Sequence, residues 1–453
     1  MRRVRVTAAV RAAVLVSVVA LACSGRARSG PAAGGERAVP LNALILTIDS
    51  LRADHLGFMG YPLPTSPVLD ELARHSIVFE HARSPGTWTS PSLISLFTSL
   101  FPPAHGVEGR GVVPSPRLHT PVEAAQEAGY AAFGYTLGEN YENLGFAPIP
   151  DKDLVRLLRN REQGPFLAWM HLRGPHLPYS PPMEVWRQFW PGGTAPSDEV
   201  RARLRRLMAE PMVFKGSWTA VAGDAEWIRS LYDAEVKAQD EAVGEILRVL
   251  AEQRLDERTL VVVTSDHGEE LLDHGYIGHA STSRDSAPYE ELLRVPLLVH
   301  IPGYREGARV GAGYPVGLED VLPTVLAAIG VKIPRRLHGR NLLPLVENPR
   351  EWRNRPMCAR ATPCGWQCEN RAERRRNEAV VDGAIKLLRR RDESGATITE
   401  ELYDLSRDPG EHHALPPHAV DASEIKRLRA ILDRWGRSAR WRPAPRPWLA
   451  PKS

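Results

Sequence analysis

Cysteine is scarce. Cys23, Cys358, Cys364 and Cys368 are the only ones in 453 residues, which excludes a scaffold built from disulfides. No CxxC pair occurs, so the usual spacing of a structural zinc site is missing. Lysine is scarce beside arginine: none precedes Lys152, and none lies between Lys237 and Lys332. No apolar run reaches the roughly 18 residues of a bilayer-spanning helix. Excess charge is small as well. With 58 Lys and Arg against 54 Asp and Glu, the formal charge is +4, too balanced for an electrostatic nucleic-acid binder. What is present is ordinary globular composition, 43% hydrophobic and 25% charged. The length exceeds one domain of roughly 100–200 residues, so one large or two unequal domains are expected.

The N-terminus reads as an address. Arg2, Arg3, Arg5 and Arg11 precede a short apolar stretch from Ala12 to Ala22, the order of a secretory signal. Ala20-Leu21-Ala22-Cys23 resembles a bacterial lipobox, in which the cysteine becomes the lipidated first residue. The alternative is a cleaved signal with an incidental Cys23. Residues 24–40, rich in Gly, Ala, Ser and Arg, read as a flexible tether. This predicts an exported bacterial lipoprotein, anchored to a membrane and facing the periplasm or cell exterior. Export implies an oxidising compartment. One disulfide and one free thiol are then expected among Cys358, Cys364 and Cys368, with three unpaired thiols as the alternative.

Residues 41–48, 165–171, 260–265 and 295–300 are near-continuous apolar runs. Such runs suit strands of a parallel sheet covered on both faces. Helical patterns lie at 66–75, 91–100, 120–128, 226–254 and 317–329. The alternation predicts an α/β fold with a large, mostly parallel sheet flanked by helices. Beyond about residue 346 the chain reads as a smaller C-terminal α+β unit. It has a hairpin across 380–388 with Asp382-Gly383 at the turn, and a helix near 422–436. In parallel sheets, ligands gather beyond the carboxyl ends of strands. Two runs end in Asp49 and in Asp266-His267. A strand-terminal Asp also serves as a turn cap; the pair beside a His points to a metal.

Four stretches together resemble the sulfatase family of the alkaline phosphatase superfamily. They are Leu46-Thr47-Ile48-Asp49-Ser50-Leu51-Arg52, Trp88-Thr89-Ser90-Pro91-Ser92, His171-Leu172-Arg173-Gly174-Pro175-His176, and Thr264-Ser265-Asp266-His267-Gly268-Glu269. Tyr289-Glu290-Glu291-Leu292-Leu293-Arg294-Val295-Pro296 and Leu402-Tyr403-Asp404-Leu405 support it, so the likeness runs over roughly 41–415. With the signal at 1–23 and the linker at 24–40, it divides the chain into a catalytic domain at 41–345 and a smaller subdomain with a basic tail at 346–453. It also implies a metal-dependent hydrolase of sulfate or phosphate esters. Asp49, Asp266 and His267 would hold one divalent ion, with Ca²⁺ foremost and Mg²⁺, Mn²⁺ or Zn²⁺ admitted by the imidazole. Thr89 stands at the nucleophile position; on residues 88–93 alone it reads as a helix cap, and beside the other three motifs as the nucleophile. His176 matches a histidine that contacts the transferred group or protonates the leaving oxygen. His279 is a further candidate facing the anion. His274 is a lesser one, and His171 reads as structural.

The chain departs from the family in ways that bear on chemistry. Thr89 replaces the Cys or Ser that becomes formylglycine, and Leu93 replaces the arginine of that motif, so no formylglycine is expected. The two sulfate-gripping lysines of the family are unfilled. Asn140 or Tyr141 lies near the first and His279 near the second. The substrate is expected to be a small-molecule or glycan ester. The competing reading is a catalytically degenerate relative that binds an anionic glycan without turnover.

Overall fold

The structure, a computed structural model, describes residues 40–437 apart from 110–111, 136–140, 150–152, 161–163, 212, 214–216, 280–286, 304–306, 362–375 and 393. Cys23, its signal and tether, Asn140, Cys364, Cys368 and the basic tail lie outside the described residues, and with them the expected disulfide. Cys358 is buried and forms no disulfide among the described residues.

The apolar runs become the middle of an eight-stranded sheet. Its order is Arg309–Val310, Ile77–Phe79, Leu297–His300, Thr259–Ser265, Asn42–Ile48, Phe166–Leu172, Ala131–Tyr135 and Ala147–Pro148. The strands from Thr259–Ser265 to Ala147–Pro148 pair in parallel. Leu297–His300 runs antiparallel to both of its neighbours.

Every residue of Asn42–Ile48 is buried, because both faces are covered. The alternation of side chains divides it between two cores. Leu44, Leu46 and Ile48 join Ile228, Leu231 and Val243 of the helix Asp224–Glu252. Ala43 and Ile45 join Leu93, Ile94 and Phe97 of the helix Thr89–Thr98, and Val325 of the helix Val321–Ala328. The expected helices at 66–75 and 120–128 appear as Pro67–Arg74 and Pro121–Glu127.

The C-terminal region is a four-stranded antiparallel sheet, Met357–Ala361, Arg376–Asp382, Ile385–Arg391 and Thr397–Asp404. Asp382 pairs with Ile385, so the hairpin turn is Gly383-Ala384, one residue later than the sequence suggests. Gly383 supplies the positive φ of 62°. The helix Ala422–Gly436 covers this sheet with Leu428, Leu432 and Trp435 against Val380, Leu387 and Leu402. No helix among the described residues is long and apolar enough to cross a membrane.

Candidate active site

Three parallel strands deliver the site. Thr47 stands opposite both His171 and Thr264, and Ile48 opposite Leu172 and Ser265. The strand ends therefore bring Asp49, His171 and Asp266 together. One ligand atom from each lies within 4.8 Å of the others. Ser50 N–H donates to Asp266 Oδ1 at 3.2 Å, and Leu51 N–H donates to Ser265 Oγ at 2.9 Å, which stitches the first loop to the second. Gly174 lies against the same loop with φ 67°. A Cβ there would collide with the Asp49 carbonyl oxygen and lie 2.6 Å from its carbon.

His267 completes the cluster. Its Nδ1 lies 2.7 Å from the Gly268 carbonyl oxygen. A carbonyl only accepts, so Nδ1 carries the proton, and Nε2 of the neutral ring presents a lone pair. That lone pair faces Asp266 Oδ2 at 3.3 Å and Asp49 Oδ1 at 3.5 Å. Burial depresses the His267 pKa, against the pull of Asp266, which favours the neutral ring. Asp266 Oδ2 and His171 Nε2 are buried without a hydrogen-bond partner among the described residues. The His267 Nε2 lone pair and the Asp49 and Asp266 carboxylate oxygens converge, an arrangement that a cation stabilises and that is costly without one. The donor set thus fits a divalent ion. His171 belongs to this cluster and not only to the core: Nδ1 lies 2.8 Å from Thr47 Oγ1, and Nε2 lies 3.5 Å from Asp49 Oδ2. Burial would raise the Asp49 pKa, but His176 and His171 hold it well below the ordinary carboxylate range.

Thr89 is the first residue of the helix Thr89–Thr98, following Trp88 in extended conformation. Trp88, the N-cap residue, makes no side-chain cap bond. Thr89 Oγ1 lies 3.3 Å from His267 Nε2. Thr89 is half-buried, whereas Ser90 beside it is 5% exposed, so the threonine is the hydroxyl open to a ligand. The helix amides behind it favour developing negative charge.

His176 and His279 form the opposite rim. Their rings are 4.8 Å apart, and His279 is 4.5 Å from the His267 ring. His279 Nδ1 lies 2.8 Å from Glu269 Oε2, and Tyr179 Oη donates to Glu269 Oε1 at 3.3 Å. Burial pushes Glu269 up to about 7 and His279 down to about 3. Burial pulls the His176 pKa down, but Asp49 and Glu269 outweigh it and raise the value. Nearby, Tyr141 is held above its ordinary pKa by burial, with Asp266 and Asp49 adding to the effect. His274 lies apart from this rim: it stacks on Tyr289 at 3.7 Å and contacts Glu291 Oε1 at 2.5 Å.

With this geometry in view, the comparisons are decisive for the family. The sulfatase family model matches residues 42–156 and 151–331, and a model described as N-sulphoglucosamine sulphohydrolase, C-terminal, matches 285–436. The chain belongs to the sulfatase family. An ulvan-active sulfatase of Formosa agariphila is 24% identical over 391 residues, covering 76% of this chain and 72% of the relative. The phosphonate monoester hydrolase of Agrobacterium radiobacter superposes with a TM-score of 0.67 at 21% identity, covering 87% of this chain and 94% of the other. A solved structure of a protein in complex with its substrate D-glucosamine-2-N,6-O-disulfate gives a TM-score of 0.68 at 19% identity, covering 88% of this chain and 98% of the other. The protein is accordingly a sulfatase-family hydrolase of the sulfuric and phosphoric ester class.

Proposed function

We propose that this sulfatase-family protein is a metal-dependent hydrolase of anionic esters in which the unmodified Thr89 hydroxyl is the nucleophile. The observation that carries the reading is the meeting of Thr89 Oγ1 with His267 Nε2 at the same point where Asp49 and Asp266 converge. Asp49, Asp266 and His267 hold the ion, with His171 Nε2 beside it, and Ca²⁺ is favoured by the two carboxylates. When bound, the ion withdraws charge from the ester oxygens and lowers the pKa of the neighbouring hydroxyl. Thr89 releases its proton to solvent, and its oxygen attacks sulfur or phosphorus in line. The bond to the leaving oxygen breaks, and His176, kept basic by Asp49 and Glu269, gives that oxygen a proton. Water then cleaves the Thr89 ester, releasing sulfate from a sulfate ester, a phosphate monoester from a phosphate diester, or a phosphonate from a phosphonate ester. His279, held by Glu269, lines the position where the family has a lysine and brings no full charge there.

This weaker grip, with formylglycine absent, supports phosphate diesters and phosphonate esters as substrates that rival sulfate esters. The glycan-acting relatives support a sugar as the alcohol part. The signal-like start supports delivery to a membrane through a lipid on Cys23. A chromogenic panel of aryl sulfate, phosphate monoester, phosphate diester and phosphonate monoester tests the reading, with Ca²⁺, Mg²⁺, Mn²⁺ or Zn²⁺ supplied. Ion-dependent turnover that disappears in Thr89→Ala is expected. Retained turnover in Thr89→Ala removes Thr89 from the chemistry. No turnover with any ion, beside saturable binding of a sulfated glycan, establishes the degenerate binder instead.

A further inference from the structure

Distance alone would admit His171 as a ligand of the ion. One of its ring nitrogens lies within 4.8 Å of a carboxylate oxygen of both Asp49 and Asp266, and Nε2 lies 3.5 Å from Asp49 Oδ2. A ligand needs a lone pair at that atom. Which ring nitrogen carries the proton is set by the hydrogen bond on the other side of the ring.

That other side is closed. Thr47 stands opposite His171 across two paired strands. Trp169 precedes His171 by two residues on the strand Phe166–Leu172 and shares its face. Trp169, Thr47 and His171 are all buried. Trp169 Nε1, which can only donate, gives its proton to Thr47 Oγ1 at 2.9 Å. Thr47 Oγ1 lies 2.8 Å from His171 Nδ1, and this hydroxyl has no further hydrogen bond among the described residues. The hydroxyl's own proton therefore has one acceptor, the lone pair of His171 Nδ1. The reverse arrangement buries that proton with no acceptor, which is costly. A neutral ring that accepts at Nδ1 carries its proton at Nε2. A charged ring carries one there as well, so either state closes Nε2 to a cation.

Nε2 then faces Asp49 Oδ2 as a donor. The other oxygen, Asp49 Oδ1, accepts from Ser50 Oγ at 3.2 Å and faces His267 Nε2 at 3.5 Å. His267 is set the opposite way, because its Nδ1 donates to the Gly268 carbonyl oxygen. A hydroxyl and a carbonyl thus give two neighbouring histidines opposite tautomers.

We infer that Thr47 sets the ion preference of the site by keeping a proton on His171 Nε2. His171 is then a positioning residue for Asp49 and not a ligand. The set that remains is Asp49, Asp266 and His267, two carboxylates with one imidazole, which suits Ca²⁺. Released from Thr47, a second imidazole joins the set and shifts it toward Zn²⁺. The inference rests on the ion site proposed above.

The test uses the full chain. Nitrogen-detected NMR of histidine-labelled protein in EDTA distinguishes a protonated ring nitrogen from a bare one, and the His171 signals are those that vanish in His171→Gln. A protonated His171 Nε2 is expected. Calorimetry then compares Ca²⁺ with Zn²⁺ on the wild type, on Thr47→Ser, which keeps the hydroxyl, and on Thr47→Val, which removes it at similar volume. The binding counted is the part lost in Asp266→Asn. Thr47→Val is expected to raise Zn²⁺ affinity relative to Ca²⁺ by about tenfold or more, and Thr47→Ser to leave the ratio unchanged. Thermal melts confirm that each variant is folded. A bare Nε2 on His171 of the wild type overturns the inference, as does an unchanged ratio in folded Thr47→Val. Failure of the wild type to bind either ion refutes the ion site itself, and is told apart because the Nε2 proton is read without any ion.

Discussion

Gly174→Ala probes how the loop carrying Asp49 is held, without touching any proposed ligand. Gly174 has φ 67°, and a Cβ there would overlap the Asp49 carbonyl oxygen and lie 2.7 Å from the Asp49 nitrogen. Alanine in that conformation costs about 1 kcal/mol. To reach ordinary contact, the Asp49 carbonyl must also recede by about 1.6 Å. Forced backbone shifts of that kind cost about 1–3 kcal/mol, so a total near 3 kcal/mol is expected. The displaced strand end takes the Asp49 carboxylate with it. A misplacement of about 1 Å at a reacting centre costs about a hundredfold in rate. Gly330→Ala is the control: its φ is 75° with open space around the Cβ position, so it bears the conformational cost alone. Denaturant unfolding with and without ion, and calorimetric ion titration, read both effects. If Gly174→Ala matches Gly330→Ala in stability and binds the ion as the wild type does, the close approach is not what positions Asp49.

Three further outcomes follow from named groups. Glu269, held at about 7 by burial, is more protonated in the folded chain than in the unfolded one. In EDTA, wild-type stability should therefore fall as pH rises from about 4.5 to 7, by roughly 3 kcal/mol relative to Glu269→Gln; parallel pH profiles contradict this. Lys386 is fully buried, 2.8 Å from Glu411 and 3.3 Å from Glu290. Lys386→Met strands a buried carboxylate and should cost about 3–5 kcal/mol in urea unfolding, while the double change with Glu411→Leu should cost less. Cys23→Ala should move the protein from the membrane to the soluble fraction, and unchanged membrane association with an unmodified Cys23 peptide by mass spectrometry refutes the anchor.

The central sheet was legible because its strands are long, apolar runs; Asn42–Ile48 and Thr259–Ser265 begin and end within a residue of the reading. Ala82–Arg83 and Val316–Gly317 were not, since two residues carry no periodicity. Asp49, Asp266 and His267 were legible for the same reason as the sheet: a polar residue ending an apolar strand stands out. His171 did not, because it sits inside such a run, and only its pairing opposite Thr47 places it beside Asp49. That parallel register was the available signal. Glu269 lies in an acidic pair that resembles a solvated turn, yet both glutamates are buried. His274 and His279 share one loop and one residue type. Their separation into a structural partner of Glu291 and a rim of the site depends on contacts far along the chain.

The nucleophile is tested most directly by trapping it. The ion-loaded protein is mixed with a phosphonate or sulfate ester that it turns over, quenched in acid within a few turnovers, and digested for peptide mass spectrometry. The expected result is the mass of a phosphonyl or sulfuryl group on the peptide carrying Thr89, at the Thr89 hydroxyl, and its absence from Thr89→Ala. The same adduct on Ser90 or on a histidine, with Thr89 unmodified during turnover, contradicts it.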